Sequence, residues 1–512
     1  MLTTLAAPAF AKTWYIENGN ITVKAGKIEG TNKVSQGETT DEKDTDTVIT
    51  NRDKDTASSH TVTINANGKN DKVEVTLKDV NIEANSGHAL TSNGDVTLTL
   101  KGENHLTGGN GGRYGGSGIT SNGSLTITGG ENDSLTAQGG SSADGGSGSY
   151  GGDGIYSSGS LTISGGTVNA TGRDGKDGDG GRGISSSGSV TISGGSTVTA
   201  NGGSGTISGG DGIWSGGGVT ISGGSTVIAN GGNGGSLVGG DGIRSGGGLT
   251  VSDGTVTAKG GNGDSKDGYG GDGIRSGGVV TISGNTVNAA GGYGGKVGGY
   301  GICSFDRVAI SGGTVEAAGG NGSTGGGSGI YSSVIDLSGS LELTAKAGSP
   351  NGKALSQKGS ELVLDTIKDK LGPGAKVTAT DADGKVIDQV STPRPVEPEE
   401  SSSSSDGGSA APSAPASPLP GLTVTDKDGQ RISYTSTQSG NTLTVCVGRF
   451  TASFRISLAA LRQLRAEGIE TITFQTILCS TTLSVDELLA MGGEDAEAVL
   501  THRFTDSSLT VG

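Results

Sequence analysis

Three aspartates stand at one repeated position in the middle of the chain: Asp211, Asp241 and Asp272, separated by 30 and 31 residues. On successive turns of a repeat structure their carboxylates would lie about 4.8 Å apart. Repulsion at that distance needs relief from Ca²⁺ or from arginine, and Arg244 and Arg275 follow three residues later. An Asp before Gly at a tight turn more often accepts hydrogen bonds from backbone N–H groups. The pattern predicts a row of backbone caps, with a calcium site as the alternative.

A second repeated position holds side chains suited to binding a ligand. It lies one residue after a recurring Gly-Ile pair, and its aromatic residues come from a chain with only 2 Trp and 9 Tyr. Aromatic faces pack on sugar rings, and arginine pairs with carboxylates. Because strand residues alternate between two faces, we expect this position to point outward, opposite the buried Ile. An ordinary exposed strand face is the alternative. The candidate ligand-binding residues are Tyr156, Trp214, Arg244, Arg275 and Tyr331.

The elements that must position these residues follow from the spacing of the Gly-Ile pairs. The gaps between the apolar anchors are 29, 36, 29, 29, 30, 31, 28, 28 and 25 residues. A nearly constant gap of this size is typical of one supersecondary unit stacked on copies of itself, a solenoid. The anchors are Leu90, Ile119, Ile155, Ile184, Ile213, Ile243, Ile274, Ile302, Ile330 and Leu355.

Each repeat contains three short segments in which apolar and polar residues alternate. In one repeat these are Ile213-Trp214-Ser215, Val219-Thr220-Ile221 and Val227-Ile228-Ala229, with glycine-rich turns between them. A period of two residues predicts half-buried strands. The sequence therefore predicts an all-β fold, a parallel β-helix of about 29 residues and three strands per coil. The general bias of parallel crossovers makes it right-handed.

Glycine is abundant enough to suggest disorder, with 103 Gly and 10 Pro among 512 residues. The fixed period argues against disorder, because the glycines fall at positions where a positive φ or close packing of coils is required. Collagen is excluded because the chain has no strict Gly-X-Y triplet, and the calcium-binding nonapeptide roll is excluded because no nine-residue repeat occurs.

The composition divides the chain into five parts. Residues 1–11 end in Ala-Phe-Ala and look like the remnant of a signal peptide. Residues 12–89 form an N-terminal cap and the first coils, with Asp41 to Asp55 expected to loop out, and residues 90–391 form the glycine-rich β-helix. Residues 392–420, rich in Pro and Ser, form a linker. Residues 421–512 form a small α+β domain.

The C-terminal domain shows two helix starts. Ser457 is positioned to cap a helix that carries Leu458 and Leu461, and Ser484 is followed three residues later by Glu487. The three cysteines leave at least one free thiol. Cys446 and Cys479 lie in this domain and either pair or stay reduced, whereas Cys303 is alone in the solenoid.

Several function classes have little support. The four histidines form no metal motif, and neither a nucleophile elbow nor a P-loop occurs, so we expect no enzyme. A net charge of −16 repels phosphate, which argues against nucleic acid as a partner. No apolar run is long enough to span a membrane.

The chain carries the motif Gly-Gly-Asp-Gly-Ile-x-Ser-Gly-Gly-x-Val-Thr-Ile-Ser-Gly-Gly-x-Thr-Val-x-Ala, best seen in residues 209–229 and 239–258. In this motif it resembles secreted glycine-rich β-helix proteins of Gram-positive anaerobes. These are similar to a carbohydrate-binding family that includes a calcium-containing, polygalacturonate-binding β-helix akin to pectate lyases. The resemblance covers residues 13 to about 385, and its motifs specify the coil better than the ligand. It implies an extracellular or cell-surface protein that binds acidic polysaccharide, with Ca²⁺ as a candidate cofactor.

The sequence thus predicts an extracellular carbohydrate-binding or adhesion module that binds acidic polysaccharide, such as a polyuronate, or a host or cell-surface glycan along one solenoid face. A structural or protein-adhesion solenoid without glycan binding is the alternative. A polysaccharide lyase using Asp and Arg is less favoured, because short Gly and Ser loops leave little wall for a cleft.

Overall fold

The structure is a computed structural model. It describes residues 11–393, apart from 29, 67, 69–70 and 143–148, and residues 421–511, apart from 426–430, 433, 440, 448–451, 477–479, 494–495 and 503–506. The chain forms two compact units, Met1–Pro398 and Glu399–Gly512. Nearly all of the predicted signal-peptide remnant and of the linker lies outside the described residues.

The first unit is a parallel β-solenoid of about 13 turns with about 29 residues per turn, which confirms the predicted fold class. Its strands form a 24-stranded sheet, here called the front sheet, and a 12-stranded sheet, here called the back sheet. Each regular coil gives two strands to the front sheet and one to the back sheet.

The anchor strands of the front sheet pair in parallel with the anchors in register, for example Ile184 with Ile213 and Ile213 with Ile243. The repeat inferred from sequence therefore becomes a spatial column. The anchor strands are Ile21–Ala25, Val62–Ala66, Leu90–Lys101, Ile119–Asn122, Ile155–Ser157, Ile184–Ser186, Ile213–Ser215, Ile243–Ser245, Ile274–Ser276, Ile302–Ile310, Ile330–Leu337 and Leu355–Gln357.

The other two strands of each coil follow the anchor strand along the chain. In three coils, the anchor strand itself continues through the second position. The second front-sheet strands are Ala11–Tyr15, Asp46–Thr50, Lys72–Lys78, Leu125–Thr128, Leu161–Ser164, Val190–Ser193, Val219–Ile221, Leu249–Val251 and Val280–Ile282. The back-sheet strands are Asn81–Glu83, Glu103–Thr107, Ser134–Gln138, Thr167–Thr171, Thr197–Asn201, Ser225–Asn230, Gly254–Lys259, Thr286–Ala290, Gly313–Ala318, Leu341–Lys346, Lys376–Thr380 and Val386–Ser391.

Between the sheets, the interior is a stack of Ile, Val, Leu and Ala side chains. Ile213, Val219, Ile221, Val227 and Ala229 have no exposed surface or almost none. Each such large aliphatic side chain contributes about 1.5–3 kcal/mol by leaving water. Buried serines in the anchor strands add hydrogen bonds between coils: the Ser215 hydroxyl donates to the carbonyl oxygen of Gly188 at 2.8 Å.

Between Leu106 and Ile330, the described segments that join a back-sheet strand to the next anchor add no side chain to the apolar core. A zigzag of N–H···O=C bonds, here called the glycine seam, runs along this part of the solenoid. It alternates between glycines that follow a back-sheet strand and glycines that precede the next anchor. Its hydrogen bonds measure 2.8–3.0 Å. The seam glycines are Gly181, Gly203, Gly210, Gly232, Gly240, Gly261, Gly271, Gly292, Gly299, Gly320, Gly327 and Gly348.

Both ends of the solenoid depart from the parallel pattern. The expected loop at Asp41 to Asp55 is wrong for its first part, since Asn32–Gln36 and Thr39–Asp44 pair as antiparallel strands and Asp46–Thr50 joins the front sheet. The buried Trp14 indole donates to Asp44 Oδ2 at 2.7 Å, and this bond holds the end of the strand Thr39–Asp44 against the solenoid. At the other end, Val386–Ser391 pairs antiparallel with Lys376–Thr380, and Ser360–Glu361 pairs antiparallel with Leu355–Gln357. Two 3₁₀ helices lie at Ile16–Asn18 and Leu364–Lys370.

In the described residues of the second unit, the strands form two four-stranded sheets and there are two helices. Helix α1 (Leu458–Ala466) begins after Ser457, whose hydroxyl accepts the Ala460 N–H, and α2 (Val485–Met491) begins after Ser484, whose hydroxyl accepts the Glu487 N–H. Both predicted caps are confirmed. The strands are Leu422–Thr425, Ala452–Ser457, Glu497–His502 and Ser507–Val511 in one sheet, and Thr435–Ser439, Thr442–Cys446, Thr471–Gln475 and Ser480–Ser484 in the other.

Cys303 and Cys446 are free thiols. The predicted alternatives for Cys446 included a disulfide with Cys479, which lies outside the described residues. The thiol of Cys446 donates instead to Gln475 Oε1 at 3.5 Å.

Candidate functional site

A groove of about 700 Å³ runs across several coils beside the anchor column. Its floor contains seam glycines and the residues two positions before each anchor, here called the floor column. One wall is the column that follows the anchors, here called the facing column, and the other is the column five residues before the anchors, here called the rim column. The floor column is His88, Ser117, Asp153, Arg182, Asp211, Asp241, Asp272, Tyr300 and Ser328. The facing column is Thr120, Tyr156, Ser185, Trp214, Arg244, Arg275, Cys303 and Tyr331, and the rim column is Tyr114, Tyr150, Asp179, Ser208, Val238, Tyr269 and Val297.

The floor column follows a hydrogen-bonding rule between coils. Each histidine or aspartate side chain of this column accepts the backbone N–H of the floor residue one coil later. Asp211 Oδ1 accepts from the Asp241 N–H at 2.8 Å, and Asp241 Oδ1 accepts from the Asp272 N–H at 2.7 Å. His88 Nδ1 accepts from the Ser117 N–H at 2.9 Å, which places the ring proton on Nε2. The favoured interpretation, that these aspartates cap backbone N–H groups, is confirmed, but the N–H lies on the next coil and not in the same turn.

Burial changes the acidity of this column. Loss of water raises the pKa of Asp272 to about 6, against the hydrogen bond from the Tyr300 N–H, which lowers it. The pKa of Asp211 is raised by the same cause. For Asp241, burial and the neighbouring charges of Asp272 and Asp211 raise the pKa well above its ordinary value. The floor is consequently less negative near neutral pH than its residue types suggest.

The structure brings three of the five predicted ligand-binding residues to the groove. Tyr156, Arg244 and Arg275 line it, with Arg244 exposed and Tyr156 and Arg275 half-buried. Arg275 Nη1 lies 3.7 Å from Asp272 Oδ2. Tyr331 continues the column beyond the groove lining and stacks on Tyr300, with ring centroids 4.9 Å apart.

Trp214 occupies its predicted column but does not line the groove. The Arg182 guanidinium lies over its ring, 4.5 Å from the centroid, and Arg182 itself lines the groove. The expectation that the whole facing column points outward is wrong for Thr120, Ser185 and Cys303, which are buried. Four members of the column, Thr120, Tyr156, Arg244 and Arg275, line the groove.

The rim column was not predicted from the sequence. Tyr114 and Tyr150 stack with centroids 5.1 Å apart, and Arg113 lies 5.7 and 5.6 Å from the two rings. Isolated parallel bridges join Tyr114 to Tyr150 and Val238 to Tyr269. The signal in the sequence is the residue directly before each Gly-Gly pair, because a fixed offset from the anchor makes a column in any solenoid.

The floor aspartates do not fit calcium, which requires six to eight oxygen ligands around one point. Asp211, Asp241 and Asp272 each use Oδ1 to accept a backbone N–H, and Asp211 Oδ2 faces Arg182 Nε at 3.5 Å. In the described part of the chain, no group of three or more His, Cys, Asp or Glu side chains is placed to hold a metal ion. Calcium dependence stays a prediction.

No family model matches the chain, and neither the curated proteins nor the solved structures contain a match. Among the described helices, none has the length and apolar character needed to cross a lipid bilayer. The groove must therefore be interpreted from its own geometry.

Proposed function

We propose that this protein is an extracellular binding module that holds an extended acidic polysaccharide in the groove. The single observation behind the proposal is the continuous groove of about 700 Å³ lined by tyrosines and arginines from successive coils. A groove that repeats from coil to coil offers equivalent contacts to a polymer that repeats along its own axis.

The groove can admit a flat ring close to the backbone. Its floor includes Gly180, Gly181, Gly209 and Gly210, which have no side chain. Tyr114, Tyr150 and Tyr156 supply aromatic surface at the end nearest the N-terminus, where Asp153 also lies. Stacked aromatic faces bind sugar rings by dispersion and by contact with apolar C–H groups.

The other end of the groove supplies positive charge. Arg244 and Arg275 lie on adjacent coils in register, so their side chains recur with the strand spacing of about 4.8 Å. The guanidinium group pairs with carboxylates through two parallel hydrogen bonds. A polymer of uronic acids offers both a ring and a carboxylate, which favours it over a neutral glycan.

The test is calorimetric titration of the full chain with a uronate oligosaccharide, after a glycan-array screen. We expect Tyr156→Ala and Arg244→Ala each to weaken binding about five- to tenfold. Tyr293→Ala and Lys259→Ala are matched controls, because both side chains are exposed and neither lines the groove. Absence of binding to any glycan would overturn the proposal, as would equal losses in the groove and control variants.

The same titration tests the remaining expectations. Repetition with a chelator measures the predicted calcium dependence. Incubation of the protein with a polyuronate, followed by absorbance of unsaturated chain ends, tests the lyase alternative. Self-association or cell adherence without glycan binding would favour a structural or protein-adhesion role.

A further inference from the structure

Arg182 interrupts a run of floor-column side chains that accept a backbone N–H from the next coil. The residues before and after it in this column, Asp153 and Asp211, both accept a backbone N–H from the next coil. Arginine has no acceptor atom, so the Asp211 N–H receives no such bond from Arg182. The coil of Arg182 thus gives up a bond worth about 0.5–1.5 kcal/mol that the coils on both sides of it make.

The side chain of Arg182 is held by three contacts. Its Nε lies 3.5 Å from Asp211 Oδ2, its Nη1 donates to Ser185 Oγ at 3.5 Å, and its guanidinium carbon lies 4.5 Å from the Trp214 ring centroid. The ring and the carboxylate restrict the rotation of the planar guanidinium. Its orientation is therefore set before any ligand arrives, which reduces the entropy lost on binding.

Arg182 also stands at the middle of the groove lining. Tyr150 and Tyr156 precede it along the groove, and Arg244 and Arg275 follow it. The side chain remains 38% exposed, whereas that of its partner Asp211 is 8% exposed. A sugar ring stacked on the tyrosine end would place a substituent next to this guanidinium.

We propose that Arg182 is the specificity-determining residue of the groove, recognising the carboxylate of a bound acidic sugar, and that Trp214 is a positioning residue acting through Arg182. The inference rests on the proposed function and assigns a different role to Trp214 from direct sugar stacking. The distinction is measurable, because residues that act through one another have non-additive effects.

The experiment is a double-mutant cycle in the full chain, using Arg182→Ala, Trp214→Ala and the double variant. The two probes are an oligogalacturonate and the same oligosaccharide with its carboxylates reduced to hydroxymethyl groups. We expect Arg182→Ala to weaken uronate binding about ten- to a hundredfold and to change binding of the reduced probe less than about threefold. Trp214→Ala alone should weaken uronate binding. In a chain that already carries Arg182→Ala, it should weaken uronate binding no further.

Two further variants control for misfolding and for a general loss of positive charge. Arg182→Asn supplies an acceptor for the Asp211 N–H, so it should fold and still lose uronate preference. Arg173→Ala removes an exposed arginine outside the groove lining, and its uronate affinity should match that of the native protein. Circular dichroism confirms that each variant is folded.

The outcomes separate this inference from the proposed function. Absence of uronate binding by the native chain would overturn both. Uronate binding with equal losses for the two probes in Arg182→Ala and Arg182→Asn would overturn the role of Arg182 alone. Additive effects of Arg182→Ala and Trp214→Ala would show that Trp214 contacts the sugar directly, and the positioning role would be wrong.

Discussion

Each coil of the solenoid has two regions that are packed by different means. In the strand region, Ile, Val, Leu and Ala side chains fill the space between the front and back sheets. In the seam region, backbone meets backbone, and a Cβ on Gly210 would lie 2.0 Å from the carbonyl oxygen of Gly181. The first region tolerates exchange between aliphatic residues, as Leu125, Val190 and Leu249 at one position show. The second holds glycine at nearly every position, with Arg173 as an exception that donates its N–H to Gly152 and accepts from Gly181.

The difference explains where variable side chains occur. Close backbone packing favours glycine at the seam positions. The adjacent positions of the rim and floor columns have room for a side chain, so their residue type varies. Tyr, Asp, Arg and Val alternate there without changing the backbone path. A scaffold held by backbone bonds can therefore vary the walls of its groove from coil to coil.

The strongest way to break the seam is Gly210→Ala. The new Cβ would overlap the Gly181 carbonyl group, and neither backbone can move without disturbing the coils on both sides. We expect a loss of about 4 kcal/mol or more in the free energy of unfolding. Chemical denaturation measures the loss, and hydrogen exchange should show increased exchange in the coils around Gly203 and Gly232. A loss below about 1 kcal/mol would mean that the seam is not closely packed.

The corresponding change in the strand region is Ile213→Ala. The anchor side chain is fully buried, so the substitution loses its transfer energy and leaves a cavity. We expect destabilisation of about 3 kcal/mol, smaller than for Gly210→Ala. Ile213→Val is the matched control and should cost about 1 kcal/mol. If Ile213→Ala lowers the free energy of unfolding more than Gly210→Ala does, the seam is not the less tolerant of the two regions.

The floor column adds a pH dependence that the strand region lacks. Because burial raises the pKa of Asp272 to about 6, the folded chain binds more protons than the unfolded chain between about pH 4 and pH 6. The resulting stabilisation is complete below about pH 4 and is lost as the pH rises through 6. We expect Asp272→Asn to remove a change of about 2–3 kcal/mol between pH 4 and pH 7. If the urea midpoints of the native and Asp272→Asn chains change equally between pH 4 and pH 7, the pH dependence does not come from Asp272.

The sequence was sufficient for the coil and insufficient for the groove. A period near 29 residues aligned the anchors, because parallel strands keep repeated residues in register. The same alignment placed Tyr156, Arg244 and Arg275 in one column. It did not show that Thr120, Ser185 and Cys303 would be buried, nor that Arg182 would cover Trp214, because both depend on side-chain contacts between neighbouring coils. The role of Asp41 to Asp44 was missed because its partner, Trp14, is distant in sequence.

The smallest effect should come from Gly224→Ala, which tests why glycine occurs outside the seam. Gly224 lies in the turn between the front and back sheets with φ of +71°, and a Cβ added there would have no atom within 4 Å. Its glycine is required by backbone conformation and not by space, so alanine should cost about 1 kcal/mol. Gly224→Asn should cost less, since asparagine tolerates the left-handed region, and Asn285 occupies it with φ of +60°. Thermal unfolding of Gly224→Ala, Gly224→Asn and Gly210→Ala compares the cost of an unfavourable backbone conformation with the cost of backbone overlap. If alanine at Gly224 is as damaging as alanine at Gly210, the two kinds of glycine do not differ in cost and the distinction between them is wrong.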